Sequence, residues 1–173
     1  MMPALTLVLG GAASGKSAFA EQLVTGSARP RLYLATAQAF DPEMQEKLTR
    51  HRAARGPGWS LVEAPLDVAP ALRNVAPDHI VLLDCATMWL SNHMLGESDL
   101  PGEEAAFMSA LADCRAPVVV VSNEVGLSVV PENALARRFR DAQGALNQRL
   151  AAQADLVVNV IAGLPQVLKG RLP

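Results

Sequence analysis

The sequence predicts an α/β fold in which a doubly wound, mostly parallel sheet carries helices on both faces. Half of the 173 residues are apolar and only 4% are aromatic, a composition that suits a core of aliphatic side chains. Short apolar runs alternate along the chain with longer helix-like segments. Most of these runs are apolar at successive positions, which is typical of strands covered on both sides.

Five apolar runs have the composition of buried strands. They are ALTLVL at 4–9, RLYLAT at 31–36, HIVLLD at 79–84, PVVVVS at 117–122 and DLVVNVI at 155–161. The segment WSLVEAP at 59–65 is expected to add a short edge strand. Parallel strands joined by right-handed crossovers require a helix in most of the intervals between them.

Helical segments are predicted in those intervals, at residues 16–24, 42–54, 68–74, 103–113 and 133–154. The second has a clear start, because Asp41 can cap it and Pro42 suits the first helical position. Another helix could begin at Ala86. The segment LGESDLPGEE at 95–104 is expected to be a surface loop. Since no repeat or linker divides the chain, residues 1–173 are expected to form one domain.

Composition and charge argue against several classes of partner and location. With 15 basic and 17 acidic residues the net charge is −2, so nothing points to nucleic acid or an anionic membrane as a partner. No apolar stretch is long enough to cross a bilayer, and the apolar start lacks the basic residues of a signal peptide. Cys85 and Cys114 are expected to be buried free thiols in a reducing compartment. We therefore expect a cytoplasmic protein without membrane insertion.

The segment GGAASGKS carries a strong functional signal. It fits the pattern G-x-x-x-x-G-K-[ST] and stands between a strand and a helix, as that pattern requires. Its glycines let backbone N–H groups turn inward around phosphate oxygens, and the helix N-terminus adds a favourable dipole. The loop consists of Gly10, Gly11, Ala12, Ala13, Ser14, Gly15, Lys16 and Ser17. A P-loop NTPase-like fold is therefore predicted, with a bare glycine-rich turn as the alternative.

Within this loop, Lys16 is expected to reach the β- and γ-phosphates of a nucleotide and Ser17 to bind Mg²⁺. Asp84 ends an apolar strand, where a Walker B carboxylate would hold the same ion, although an aspartate there could also cap a helix. Switch GTPases carry a guanine-reading N/T-K-x-D motif, which the segment SNEVG at 122–126 lacks. The small size favours a metabolite kinase or nucleotidyl transferase.

A cationic cluster surrounds His51 in a chain whose charged fraction is only 18%. On a helix beginning near residue 42, His51 could simply complete an apolar face as a partly buried histidine. Arg50, Arg52 and Arg55 favour instead an anionic ligand, since guanidinium groups suit phosphate oxygens. Adjacent positive charge should also favour the neutral, nucleophilic imidazole. Such a group could attack a nucleotide α-phosphorus and expel pyrophosphate.

Six segments in a fixed order resemble one known family. They are GGAASGKS, YLATAQAFDPEM, HRAARGPGW, LLDCATMWLSN, SNEVGLSVVPENALARRFRDAQGALNQRLA and AGLPQVLK. Together they closely resemble the bifunctional adenosylcobinamide kinase / adenosylcobinamide-phosphate guanylyltransferase of cobalamin biosynthesis. The resemblance implies that ATP or GTP phosphorylates the aminopropanol hydroxyl of adenosylcobinamide. GMP is then transferred from GTP, through a guanylylated histidine, to give adenosylcobinamide-GDP and pyrophosphate.

The same resemblance implies particular site residues and an assembly. The family histidine falls on His51, and GTP contacts fall on the loop at 10–17. Further GTP contacts fall on Ala35, Thr36, Ala37, Arg52, Ala53, Ala54, Arg55, Glu63 and Asp84. The family also implies a homotrimer with sites between subunits. Many relatives have arginine in place of Ala13, so this chain lacks one cationic contribution to the kinase step.

Four alternatives stay open at this point. His51 could be structural in a plain P-loop metabolite kinase, or the chain could be a nucleotide-binding regulatory module. Glu63, considered alone, could be a solvated charge at a strand end. Glu124 could orient Mg²⁺ or a substrate hydroxyl, or it could cap the turn at Gly126.

Overall fold

The described residues form a seven-stranded sheet. The computed structural model describes residues 1–38 and 58–173. The strands are β1 (Leu5–Gly10), β2 (Arg31–Ala35), β3 (Trp59–Glu63), β4 (Ile80–Asp84), β5 (Val118–Asn123), β6 (Leu156–Ile161) and β7 (Leu164–Lys169). Their order is β3-β2-β4-β5-β1-β6-β7, and every pair is parallel except β6 with β7. The predicted mostly parallel sheet is confirmed, and so is the edge position of β3.

Helices cover both faces of this sheet. They are α1 (Lys16–Thr25), α2 (Val68–Arg73), α3 (Ala86–Leu95), α4 (Leu100–Asp113) and α5 (Ala134–Gln153). One apolar cluster joins Ala20 and Val24 of α1 to one side of the strands. A second cluster joins the buried residues of α2 to α5 to the other side. Because β1, β2, β4, β5 and β6 bury side chains on both faces, their sequences are almost continuously apolar.

One prediction for the connections was wrong. The segment at 95–104 is mostly helical, since α3 ends at Leu95 and α4 already begins at Leu100. Its Pro101 suggested a loop, but proline is tolerated in the first helical turn, where its missing N–H has no partner to lose. The helix predicted at 42–54 lies outside the described residues.

Strand β7 was not predicted. It pairs antiparallel with β6 after a turn in which Ala162 and Gly163 both have positive φ, of 51° and 78°. This geometry is that of a tight hairpin, but alanine is unusual at such a position, so the turn signal was weak. All six residues of β7 are exposed, which also removes the apolar pattern of a buried strand.

The carboxyl ends of the parallel strands lie along one edge of the sheet, where ligands bind in open α/β folds. The register places Ala35 beside both Glu63 and Asp84. Further along the same edge it places Gly10 beside Asn123. The sheet therefore brings three segments of predicted site residues to one side. None of the helices described here has the length and apolarity needed to span a membrane.

Candidate active site

The loop at residues 10–17 connects β1 to α1 through an unusual backbone path. Gly15 precedes the helix with φ 92° and ψ 4°, and Ala13 also has a positive φ, of 53°. Only glycine adopts such angles without strain, which explains Gly15. Helix α1 begins directly, with Phe19 N donating to Gly15 O at 3.0 Å.

Two of the loop glycines stand where a side chain would have no room. A Cβ on Gly10 would lie 2.3 Å from Ser14 Oγ, and a Cβ on Gly15 would lie 3.0 Å from Gly163 Cα. A Cβ on Gly11 would meet none of the described residues within 4 Å. The first and third glycines are therefore needed by the packing of the loop itself, whereas the second is not.

Neighbouring strands hold the loop from both sides. Glu124 N, just after β5, donates to Gly10 O at 3.0 Å. Gly163 N, in the hairpin turn between β6 and β7, donates to Ser14 O at 2.8 Å. The hairpin that the sequence did not reveal therefore fixes the phosphate-binding loop in place.

Polar groups gather at the start of α1. Lys16 Nζ donates to Gly11 O at 3.0 Å, so the ammonium group lies against the loop backbone. The helix has neither a side-chain cap nor an acidic residue in its first turn. Ser14 Oγ is buried and finds no hydrogen-bond partner among the described residues. Uncapped N–H groups, a cation and an unpaired hydroxyl together form a site suited to phosphate oxygens.

Asp84 and Ser17 supply the oxygen ligands that Mg²⁺ prefers. Ser17 is the second residue of α1 and is partly buried, and Asp84 ends β4. Strand β5 lies between β4 and β1, so the two residues stand on elements separated by one strand. In the described part of the chain, no three His, Cys, Asp or Glu side chains form a metal cluster. These residues fit a Mg²⁺ shared with substrate phosphates and water, which is the usual way that this ion is bound.

The segment after β2 is tied to the start of α3. Thr36 is fully buried, and its Oγ1 donates to Cys85 O at 2.7 Å and accepts from Cys85 N at 2.8 Å. Ala35 is buried and Ala37 is partly buried, while Glu63 is exposed at the end of β3. The Thr36 hydroxyl is therefore used within the protein. Ala35, Ala37 and Glu63 are each more exposed than Thr36 at this edge of the sheet.

Five of the predicted site residues lie outside the described residues. They are His51, Arg52, Ala53, Ala54 and Arg55.

Cys85 is a protonated thiol at neutral pH. Burial, and then the negative charge of Asp84, raise its pKa to about 11. Burial also raises the pKa of Cys114, which is half-buried. Both cysteines are free, as predicted, although only Cys85 is fully buried. A thiol with a raised pKa is a poor nucleophile and a poor metal ligand, so neither is a candidate for catalysis.

A buried polar network lies behind the end of β5, and the sequence analysis did not identify it. Gln143 Nε2 donates to Ser122 Oγ and to Asn147 Oδ1, both at 2.9 Å. Ser122 Oγ donates to Asn147 Oδ1 at 2.6 Å. Thr87 Oγ1 accepts from Asn123 N at 2.8 Å, and Asn147 Nδ2 donates to Asn123 O at 3.0 Å. Two amide side chains four residues apart on the apolar face of α5 were the available signal.

A cavity of about 460 Å³ opens beside the phosphate-binding loop. It is lined by Ala12, Asn123, Glu124, Val125, Leu127 and Ser128. Glu124 Oε1 accepts a hydrogen bond from Gly126 N at 2.6 Å, so the capping interaction considered for this residue is formed. The cavity joins the phosphate-binding loop to the connection between β5 and α5.

Comparison with known proteins gives a match along nearly the whole chain. The family described as cobinamide kinase / cobinamide phosphate guanyltransferase matches residues 6–168. The bifunctional adenosylcobalamin biosynthesis protein CobP of Pseudomonas aeruginosa is 43% identical over 167 residues, which cover 95% of this chain and 96% of that protein. The protein CobU of Salmonella typhimurium, with the same description, is 39% identical over 181 residues, covering 95% and 99%.

Solved structures of other proteins share the fold. An ATPase of a bacterial type III secretion system has a TM-score of 0.55 at 12% identity, covering 94% of this chain and 56% of that one. The RadB recombinase has a TM-score of 0.53 at 21% identity, covering 91% and 74%. Both similarities concern the P-loop NTPase-like fold alone.

Proposed function

This chain belongs to the cobinamide kinase / cobinamide phosphate guanyltransferase family, and from that premise we propose how its two reactions proceed. It is an adenosylcobinamide kinase and adenosylcobinamide-phosphate guanylyltransferase of cobalamin biosynthesis. The observation that carries the mechanism is the loop at 10–17, with Lys16 folded against its backbone at the uncapped start of α1. We propose that residues 1–173 work as one nucleotide-binding domain.

In the first reaction, ATP or GTP donates its γ-phosphoryl group. The aminopropanol hydroxyl of adenosylcobinamide forms a bond to the γ-phosphorus, the bond to the β–γ bridging oxygen breaks, and the hydroxyl proton is released. Loop N–H groups and Lys16 stabilise the negative charge on the transferring group. Ser17 and Asp84 would hold Mg²⁺, which would supply further neutralisation of the phosphate charge. The products are adenosylcobinamide phosphate and a nucleoside diphosphate.

In the second reaction, His51 carries the nucleotide. Its neutral imidazole attacks the α-phosphorus of GTP, the bond to the β-phosphate oxygen breaks, and pyrophosphate leaves. The phosphate of adenosylcobinamide phosphate then attacks the same phosphorus, which gives adenosylcobinamide-GDP and restores the histidine. Arg52 and Arg55 are proposed to stabilise the phosphate charge during both transfers. This assignment is supported by the cationic sequence around His51 and by the family.

Nucleotide contacts are proposed along the carboxyl edge of the sheet. The phosphate groups are assigned to Gly10, Gly11, Ala12, Ala13, Ser14, Gly15, Lys16 and Ser17. The remaining contacts are assigned to Ala35, Thr36, Ala37, Ala53, Ala54 and Glu63. The shared edge position of Ala35, Glu63 and Asp84 supports this arrangement. Because the hydroxyl, N–H and carbonyl of Thr36 are all hydrogen-bonded within the protein, we propose that Thr36 contacts the nucleotide by packing alone.

A homotrimer in the cytoplasm, without nucleic acid or membrane insertion, completes the proposal. Strand β7 supports self-association, because it is an exposed edge strand with apolar side chains. Leu164 is 71% exposed and Leu168 is 56% exposed. Unpaired edges of this kind are normally covered, and a second copy of the chain would cover this one.

Labelling with GTP that carries ³²P at the α-phosphorus tests the histidine intermediate. We expect acid-labile, base-stable label on the wild-type protein and no label on His51→Ala. His79→Ala is the matched control, since His79 is a half-buried surface histidine bonded to Asp78, and it should keep the label. Label that persists in His51→Ala, or an unlabelled wild type, would contradict the covalent role of His51 and favour a plain P-loop metabolite kinase. GTP binding without pyrophosphate release when adenosylcobinamide phosphate is present would indicate a regulatory module.

A further inference from the structure

The cavity beside the phosphate-binding loop has a polar base. Asn123 stands at the end of β5, where its register partner is Gly10, and it lines the cavity together with Ala12. A group bound beside Asn123 would therefore lie next to the loop that binds the phosphates. An acceptor bound in this cavity would lie close to a nucleotide held by that loop, as transfer between the two requires.

Hydrogen bonds from buried side chains hold the backbone of Asn123 in position. Asn123 has no strand neighbour on the side of β4, because β4 ends at Asp84, which pairs with Val121. Buried side chains provide hydrogen bonds there, with Thr87 accepting from Asn123 N and Asn147 donating to Asn123 O. The same network binds the Ser122 hydroxyl, so it holds the last two residues of β5 in position. Such support is what a substrate-binding side chain needs.

The rim of the cavity is apolar and exposed. Leu127, Val129 and Val130 follow one another between β5 and α5, and they are 92%, 89% and 61% exposed. We refer to residues 127–130 as the apolar ridge. Beyond it, a second cavity of about 300 Å³ lies between α3 and α5, where Leu95 and Leu135 are also exposed. Exposed large apolar side chains clustered beside a cavity are typical of a binding site.

We propose that the cavity and the apolar ridge form the acceptor subsite for the corrinoid. This inference rests on the proposed function and adds to it the place where the second substrate binds. The acceptor has a broad ring edged with methyl and carboxamide groups, together with a narrow arm that ends in a hydroxyl or a phosphate. The ridge packs against the ring, and the Asn123 carboxamide binds the polar end of the arm. The continuity of the cavity with the phosphate-binding loop through Ala12 selects this occupant.

Asn123→Asp tests the polar contact, because the two reactions differ in the charge of the acceptor. The first acceptor ends in a neutral hydroxyl, which can donate a hydrogen bond to a carboxylate as well as to a carboxamide. The second ends in a phosphate, which a carboxylate repels. We expect the KM for adenosylcobinamide phosphate to rise about tenfold or more, while the KM values for GTP and for adenosylcobinamide change less than about threefold. An equal rise in the KM for GTP would instead place Asn123 on the nucleotide.

Leu127→Glu tests the apolar ridge independently of Asn123. A charge at this exposed position should leave folding intact but disfavour contact with an apolar ring. We expect the KM for adenosylcobinamide to rise about tenfold and the KM for the nucleotide to stay constant. The matched control is Leu172→Glu, which changes another exposed leucine near the end of the chain, where Pro173 borders a cavity with Met1. This control should behave as the wild type.

The outcomes separate this inference from the function on which it rests. A wild-type protein that neither phosphorylates adenosylcobinamide nor releases pyrophosphate would remove both proposals. A wild type that performs both reactions, with wild-type KM values in Asn123→Asp and Leu127→Glu, would overturn the acceptor subsite alone. The mass of each variant in solution should equal that of the wild type. A changed mass for Leu127→Glu would show that the ridge contacts another copy of the chain, and the subsite would again be wrong.

Discussion

Thr36 and Cys85 exchange two hydrogen bonds across 49 residues of sequence, through the Thr36 hydroxyl and both backbone groups of Cys85. The Thr36 carbonyl in turn accepts from Asn92 Nδ2 at 2.9 Å, and the same amide donates to Pro65 O at 2.9 Å. These bonds join the segments that follow β2, β3 and β4. The edge of the sheet that carries Ala35, Glu63 and Asp84 is therefore fixed by buried polar contacts.

Replacing this hydroxyl should weaken the whole fold. Thr36→Val keeps the shape but removes the acceptor of Cys85 N and one of the two donors to Cys85 O, which keeps Trp89 N, so we expect the free energy of unfolding to fall by about 1–3 kcal/mol. Urea denaturation measures this free energy of unfolding. The control is Thr25→Val, whose exposed hydroxyl binds the carbonyls of Glu21 and Gln22 and should change stability by less than about 0.5 kcal/mol. Equal losses in the two variants would show that the Thr36 bonds add nothing specific.

Two of the three glycines of the phosphate-binding loop, Gly11 and Gly15, offer a matched pair. Gly15→Ala combines a left-handed backbone with a Cβ 3.0 Å from Gly163 Cα, whereas Gly11→Ala meets no neighbour in the described part of the chain. We expect Gly15→Ala to lose about 1–3 kcal/mol of stability and to bind GTP more weakly. Gly11→Ala should change stability by less than about 0.5 kcal/mol. Thermal melting and equilibrium binding of GTP would measure both, and comparable behaviour of the two variants would contradict the packing described for the loop.

The sequence was sufficient where local chemistry determines structure. The five buried strands and the loop at 10–17 could be predicted because burial on both faces and phosphate binding each require particular residues in a row. Strand β7 could not, since its exposed residues and the alanine in its turn carry no such pattern. The segment at 95–104 was predicted wrongly as a loop, although its Pro101 suits the first turn of a helix.

Parts of the site depend on the order of the strands in the sheet. They could not be predicted from the sequence, because local patterns do not reveal that order. Asp84 was placed at a strand end correctly, but the sequence does not reveal that β5 lies between its strand and β1. Likewise, Gln143 and Asn147 bind Ser122 only because α5 packs behind the end of β5. Long-range contacts of this kind follow from the topology and leave little trace in local composition.

The buried network should be sensitive to a single apolar substitution. Asn147→Leu removes the partner of Asn123 O, the Ser122 hydroxyl and the Gln143 amide together, so we expect a loss of about 2–4 kcal/mol in the free energy of unfolding. If the acceptor subsite is correct, the KM for adenosylcobinamide should rise while the KM for GTP stays nearly constant. Gln153→Leu is the control, since its amide bonds only Met108 O at the far end of the same helix. A smaller loss for Asn147→Leu than for Gln153→Leu would contradict the role of the network.

Cys85 should make stability depend on alkaline pH. Its pKa is raised from 9.0 to about 11 in the folded protein, chiefly by burial and then by Asp84, so the folded state holds the thiol proton more tightly than the unfolded state does. The resulting stabilisation is complete below about pH 9 and is lost as the pH rises through about 11, a difference of about 2–3 kcal/mol. Other groups titrate in the same range, and the Cys85→Ala variant separates them. The gap in unfolding free energy between the wild type and this variant should stay constant up to about pH 9 and shift against the wild type above it. A gap that does not change up to pH 11 would mean that the Cys85 thiolate is as well accommodated in the fold as in water, which a side chain buried beside a carboxylate does not allow.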